Sequence, residues 1–330
     1  MTPHAVKRLV KSVSNVHRPD GQPNVLLFSM PRSGSTWLME LIWTQPGFKY
    51  CNQPLSLINP RVRSELGING WGELYDEATL PTLERYFDDI SAGRVRFANP
   101  NPLRGHYRPV THRIVFKEIH GLADRVGWFR DRFNARVAFL VRHPVAVAIS
   151  SERFPLLGTF LTTSFRDHFS SEQIAFANRV AADGSHVERG VLAWCLQNAV
   201  PLREMTDDWA FVTYEQLVID PEPVVRELAN KLELPEPERM THALTVPSVN
   251  VRTKSTEQTR QLLYEESAER RPDLVEKWQQ QVDASEEARA MRALEVFDID
   301  VYQARDVLPA TWAWLPQQSR RHELAHGTGG

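Results

Sequence analysis

The chain has 330 residues, enough for one large domain or two modest ones, and 42% hydrophobic with 24% charged residues is ordinary for a globular protein. A formal net charge of −2 excludes a surface-wide field that would draw the chain onto nucleic acid, so any anion site must be local. Two cysteines, Cys51 and Cys195, argue against a disulfide framework and for a reducing, cytoplasmic setting; no apolar run reaches the about 18 residues of a membrane span.

Residues 5–16, AVKRLVKSVSNV, pattern as a short basic amphipathic helix, with Val6, Leu9, Val10 and Val13 on one side and Lys7, Arg8 and Lys11 on the other. Such an arm docks on the protein's own core, and it is also compatible with peripheral contact at a membrane. The turn cluster from Pro19 to Pro23 separates an arm over 1–23 from a domain over 24–310, with a tail over 311–330.

A first strand is expected over Asn24 to Ser29, then a helix from Thr36 to Gln45 stopped by Pro46 and Gly47. A short strand over Phe48 to Cys51 and a helix over Leu80 to Ile90 follow. The loop ANPNPLRGHYRP, 98–109, has the composition of a substrate mouth. Next come a strand over Arg113 to Ile119, a helix over Leu122 to Phe133, a strand over Arg136 to Val141 and a helix over Val145 to Arg153. A long helix spans 186–206 and carries Pro201 late, where it would kink the axis. The last strand covers Trp209 to Thr213 and its helix Glu222 to Leu232. A polar loop, 249–260, and a charged helical stretch, 262–294, close the chain. The alternation predicts an α/β fold, a parallel β-sheet flanked by helices, with helical insertions over the carboxyl edge where ligands sit.

The segment VLLFSMPRSGST, 25–36, runs from an apolar strand into hydroxyls, one glycine and one arginine. A loop for a magnesium nucleoside triphosphate reads Gly, four residues, then Gly-Lys-Ser/Thr. Here Ser29 replaces the first glycine and Ser35 the lysine. A strand end feeding a helix start still aims backbone N–H groups at one spot, an anion cradle. Gly34 allows close approach, Ser33, Ser35 and Thr36 add hydroxyl donors, and Arg32 adds a forked cation. A metal-bound triphosphate also calls for an acidic residue at a later strand end. The fourth strand, VAFLV, ends in Arg142 instead, so the anion expected here carries no metal. Ser150 lies eight residues after Arg142 in the following helix. Two anion sites on neighbouring strand ends suit a nucleotide with phosphates at both ends of its ribose.

On these residues the chain resembles the sulfotransferase family that uses 3′-phosphoadenosine-5′-phosphosulfate, PAPS, with a P-loop-like fold. The resemblance implies that Arg32, Ser33, Gly34, Ser35, Thr36 and Trp37 hold the 5′-phosphosulfate end, Trp37 packing on adenine. Arg142 and Ser150 would grip the 3′-phosphate. The stretch FVTYEQLVIDPEPVVRELANKLEL, 211–234, is similar to the family's strand-and-helix segment and places Tyr214 near the adenine. Residues 277–302 resemble its closing helix, in which a tryptophan and a tyrosine pack structurally. Arg252, Lys254 and Ser255 stand where the family has a late basic loop over the 3′-phosphate, although a solvated charged loop reads the same.

Sulfuryl transfer needs an in-line acceptor hydroxyl, a base, and cations around the SO3 group and the leaving oxygen. Arg32 suits the leaving oxygen. The third strand, RIVFKEIHG, offers Lys117, Glu118 and His120 at its carboxyl end. The family's Lys-x-His spacing is one residue longer here, and strand alternation puts Glu118 and His120 on one face with Lys117 pointing away. Related branches place a carboxylate base before a proline after the second strand; here that position is Gln53, which cannot act as a base and raises the weight on His120, with Glu118 as the other candidate. The expected activity is metal-free transfer from PAPS to a hydroxyl of a carbohydrate, glycolipid or small metabolite. The competing readings are a nucleotide kinase, disfavoured by Ser35 and Arg142, and a protein that binds the nucleotide without turnover.

Overall fold

The computed structural model describes residues 15–96, 100, 103, 105–117, 121–244 and 271–314. Seven strands are assigned among them: β1 (Val16–His17), β2 (Asn24–Ser29), β3 (Phe48–Asn52), β4 (Val110–Thr111), β5 (Arg113–Lys117), β6 (Ala135–Val141) and β7 (Ala210–Thr213). Five form one parallel sheet in the order β3-β5-β2-β6-β7, with β2 at its centre. Val25, Leu26, Leu27 and Phe28 are all buried, as befits a central parallel strand covered on both faces. β2 pairs with β6 so that Ser29 lies beside Leu140, and with β5 so that Leu27 lies beside Lys117. The chain therefore leaves β2, β5 and β6 at the same edge, the edge from which a site can be built.

One face of the sheet is covered by α1 (Ser35–Trp43), whose Leu38, Leu41 and Ile42 pack with Val25, Leu27, Val115 and Leu140. The other face carries α2 (Leu80–Ser91), α3 (Val126–Arg132), α4 (Pro144–Ile149) and the long α5 (His186–Glu204), which runs through Pro201. α5 lies against α4 so closely that a Cβ on Gly190 would sit 2.4 Å from the Ala148 side chain. After β7 come α6 (Tyr214–Ile219) and α7 (Pro221–Lys231), and the described C-terminal part includes α8 (Ala284–Val296).

Several boundaries differ from the sequence reading for local reasons. The helix expected over Val145 to Arg153 ends at Ile149, because the Ser150 and Ser151 hydroxyls both donate back to the Val147 carbonyl at 3.0 and 2.8 Å and compete with the helical ladder. The chain enters α6 directly from β7: the Thr213 hydroxyl accepts the Gln216 N–H, and Pro221 then opens a second helix. The last residue of the expected arm helix, Val16, is in β1, paired in parallel with Val110; residues 1–14 lie outside the described residues. The described part of the arm does dock on its own chain, with Asn15 buried and its amide donating to the Arg108 carbonyl. Residues 311–314 form a short helix in which Trp312 stacks on Phe211 at 6.1 Å; 315–330 lie outside the described residues. Among the described residues no helix is long and apolar enough to cross a membrane.

Candidate active site

The turn between β2 and α1 holds two departures from ordinary backbone, separated by one residue. Arg32 has φ of 76° and Gly34 has φ of 93°, so the chain coils left-handed on either side of Ser33. A non-glycine residue there costs about 1–3 kcal/mol and persists only where its surroundings enforce it. Ser33 donates its N–H to the Met30 carbonyl at 3.2 Å, and its side chain is fully buried with the hydroxyl unpartnered. The N-cap residue of α1 is Gly34, which has no side chain to cap the helix, and the positive end of the helix dipole lies at the same turn as Ser33. Gly34 is also a steric requirement, since a Cβ would lie 2.6 Å from Cδ2 of Tyr214. Gly34→Ala is expected to cost at least about 1–2 kcal/mol from the left-handed backbone alone. A melting temperature equal to that of the parent would show that the turn relaxes around the methyl group.

Arg142 leaves the end of β6 and returns to this turn, its Nη1–H donating to the Arg32 carbonyl at 3.1 Å. Its guanidinium lies over the Tyr214 ring at 4.4 Å, and Tyr214 meets Trp37 edge-on at 6.5 Å. The structure thus brings Arg32, Ser33, Gly34, Trp37, Arg142 and Tyr214 together at one end of the sheet. Ser35, buried, and Thr36, half-buried, open α1 in the same place. Ser150 is the residue after the last turn of α4, half-buried, with its hydroxyl already donating to Val147.

Lys117 ends β5 and is buried. It shares the strand face of Val115, the face under α1, and its carbonyl accepts the Gln53 N–H at 2.9 Å. Gln53, at φ of 50°, follows β3 and lies beside the β5 end. Glu118, His120, Arg252, Lys254 and Ser255 lie outside the described residues.

Sequence reading passed over two residues that shape this edge. The Trp194 indole N–H donates to the Arg142 carbonyl at 3.0 Å, and the fully buried Glu215 accepts the His143 N–H at 2.9 Å. Burial pushes the Glu215 carboxyl up, opposed by donors from Tyr302 and His143 and by the Arg142 charge. Neither residue left a local signal, because the partners of both are far away in sequence.

The α/β sheet thus carries, at the end of its central strand, a left-handed strand-to-helix turn with a buried unpartnered hydroxyl and a second arginine tied to its backbone. The family model described as the sulfotransferase domain matches residues 22–295, and the chain belongs to that family: it is a sulfotransferase. Among solved structures it is similar to the sulfotransferase domain of the Synechococcus PCC 7002 olefin synthase, at 20% identity and a TM-score of 0.42, covering 86% of this chain and 98% of that one. It is similar also to the sulfotransferase domain of the curacin biosynthetic pathway, at 16% identity, a TM-score of 0.42 and 86% and 99% coverage. For sulfotransferase STF9 from Mycobacterium avium the values are 11%, 0.34, and 79% and 77%. Comparison with curated proteins gives no match.

Proposed function

We propose that this sulfotransferase uses PAPS as its donor and a hydroxyl of a carbohydrate, glycolipid or small metabolite as its acceptor. The observation that carries the reading is the buried, unpartnered Ser33 hydroxyl in a left-handed turn to whose backbone Arg142 is tied. A buried hydroxyl without a partner calls for a ligand oxygen, and two guanidinium groups at one turn suit a ligand with two separated anionic ends. Arg32 to Trp37 would hold the 5′-phosphosulfate end, Arg142 and Ser150 the 3′-phosphate, with Tyr214 and Trp37 flanking the adenine. Arg252, Lys254 and Ser255 are proposed to close over the 3′-phosphate.

PAPS supplies an activated sulfuryl group, and this chain's residues do the rest. His120 accepts the acceptor hydroxyl's proton as its oxygen bonds to sulfur, while Glu118 orients the imidazole. Arg32 and Lys117 stabilise the charge that collects on the leaving oxygen as the sulfur–oxygen bond breaks, releasing 3′,5′-ADP. Arginine and lysine suffice for this charge, so no metal is assigned a role.

The donor reading is tested by thermal stability. 3′,5′-ADP at a hundred times its Kd should stabilise the protein by about 2.7 kcal/mol, whereas Mg-ATP at the same concentration should shift the melting temperature far less. A larger shift with Mg-ATP would overturn the donor reading.

A further inference from the structure

The peptide joining Arg142 to His143 is held by groups from distant parts of the chain. On one side its carbonyl accepts the Trp194 indole N–H at 3.0 Å; on the other its N–H donates to Glu215 Oε1 at 2.9 Å. The second oxygen of Glu215, Oε2, accepts the Tyr302 hydroxyl at 2.6 Å. The His143 ring lies flat on Trp278, with centroids 4.3 Å apart and planes at 14°, and meets Tyr302 edge-on at 5.1 Å. Trp194, Glu215, His143, Tyr302 and Trp278 are all buried.

Both Glu215 oxygens have a hydrogen-bond partner, Oε1 the His143 N–H and Oε2 the Tyr302 hydroxyl, so the buried carboxyl group is held on both sides. A buried carboxyl group is costly unless its oxygens are hydrogen-bonded, and these two bonds meet that demand. Burial and the Arg142 charge hold His143 neutral, with its pKa lowered to about 3, so Arg142 is the cation that Glu215 faces at this edge. The carboxylate touches the Arg142–His143 peptide through a hydrogen bond and leaves the guanidinium to Tyr214 and the Arg32 carbonyl.

We propose that Glu215, braced by Tyr302, is a positioning residue for 3′-phosphate recognition: it fixes the Arg142–His143 peptide and so the direction in which the Arg142 side chain leaves β6. This rests on the reading of Arg142 as the 3′-phosphate ligand. It also gives the closing segment, through Tyr302, a part in donor binding in addition to packing.

The test is calorimetric titration with 3′,5′-ADP and with 5′-AMP, which lacks the 3′-phosphate. Glu215→Gln should weaken 3′,5′-ADP by about tenfold, the lower end for residues that orient a ligand-binding group, and leave 5′-AMP within about twofold. Tyr302→Phe should act in the same sense by a few-fold. In an Arg142→Ala background neither substitution should change 3′,5′-ADP affinity further, because the effect passes through Arg142. Equal losses for both nucleotides, losses that persist without Arg142, or no loss at all would each overturn the proposal. If Glu215→Gln does not fold, Tyr302→Phe is judged by the same criteria. A wild-type protein that binds 5′-AMP as tightly as 3′,5′-ADP would sink the donor reading and this proposal with it; a wild-type preference with insensitive variants would sink the proposal alone.

Discussion

His120→Ala and His120→Asn are expected to abolish sulfuryl transfer while leaving the affinity for 3′,5′-ADP intact. If the acceptor is the proposed hydroxyl, it must lose its proton as it bonds to sulfur, and a positioned base contributes about 10²–10⁴ in rate. An unperturbed imidazole titrates near 6.5 and is mostly in its basic form at neutral pH. His120 follows Lys117, which ends β5 at the edge shared with the Arg32 turn. The position after β3 that could have offered a carboxylate is Gln53, held at φ of 50° beside the same strand end. Glu118→Gln, if Glu118 only orients the imidazole, should cost about ten- to a hundredfold. Both variants belong in one assay at saturating donor. Full activity in His120→Asn beside a dead Glu118→Gln would move the base to Glu118.

The second large effect separates the two arginines. Arg32→Ala should lower kcat by about 10²–10³ even at saturating PAPS, the loss seen when a donor to developing negative charge is removed. The substitution is clean in one respect: Arg142 is tied to the Arg32 backbone carbonyl, which alanine retains. Arg142→Ala, on the proposed 3′-phosphate role, would remove a contact made equally before and during reaction, so it should raise KM and be rescued in part by excess donor. Equal rescue of both variants would leave Arg32 without a transition-state role.

What could be read from the sequence was whatever is local and periodic. β2 was found at its observed bounds because Val25 to Phe28 form an unbroken apolar run between a turn cluster and Pro31, and α1 to within two residues because Leu38, Leu41 and Ile42 recur on one face. The strand-to-helix turn at Arg32 to Ser35 was legible for the same reason: strand, turn and helix start are contiguous. The short α6 was not, since a six-residue helix carries no periodicity against its neighbours and depends on the Thr213 cap. Ser150 was placed inside a helix that its own hydroxyl helps to end. The network around Arg142 was invisible because Trp194, Glu215 and Tyr302 meet it only through the tertiary fold, and no spacing rule links a carboxylate to a tyrosine 87 residues away.

Sulfuryl transfer from PAPS bearing a labelled sulfate, followed across a panel of hydroxyl acceptors, tests the donor assignment most directly. The expected result is label in an acceptor product with 3′,5′-ADP formed in equal amount, both slowed by about 10²–10³ in Arg32→Ala. Transfer of a phosphoryl group from Mg-ATP, with no 3′,5′-ADP formed from PAPS under any acceptor, would contradict it.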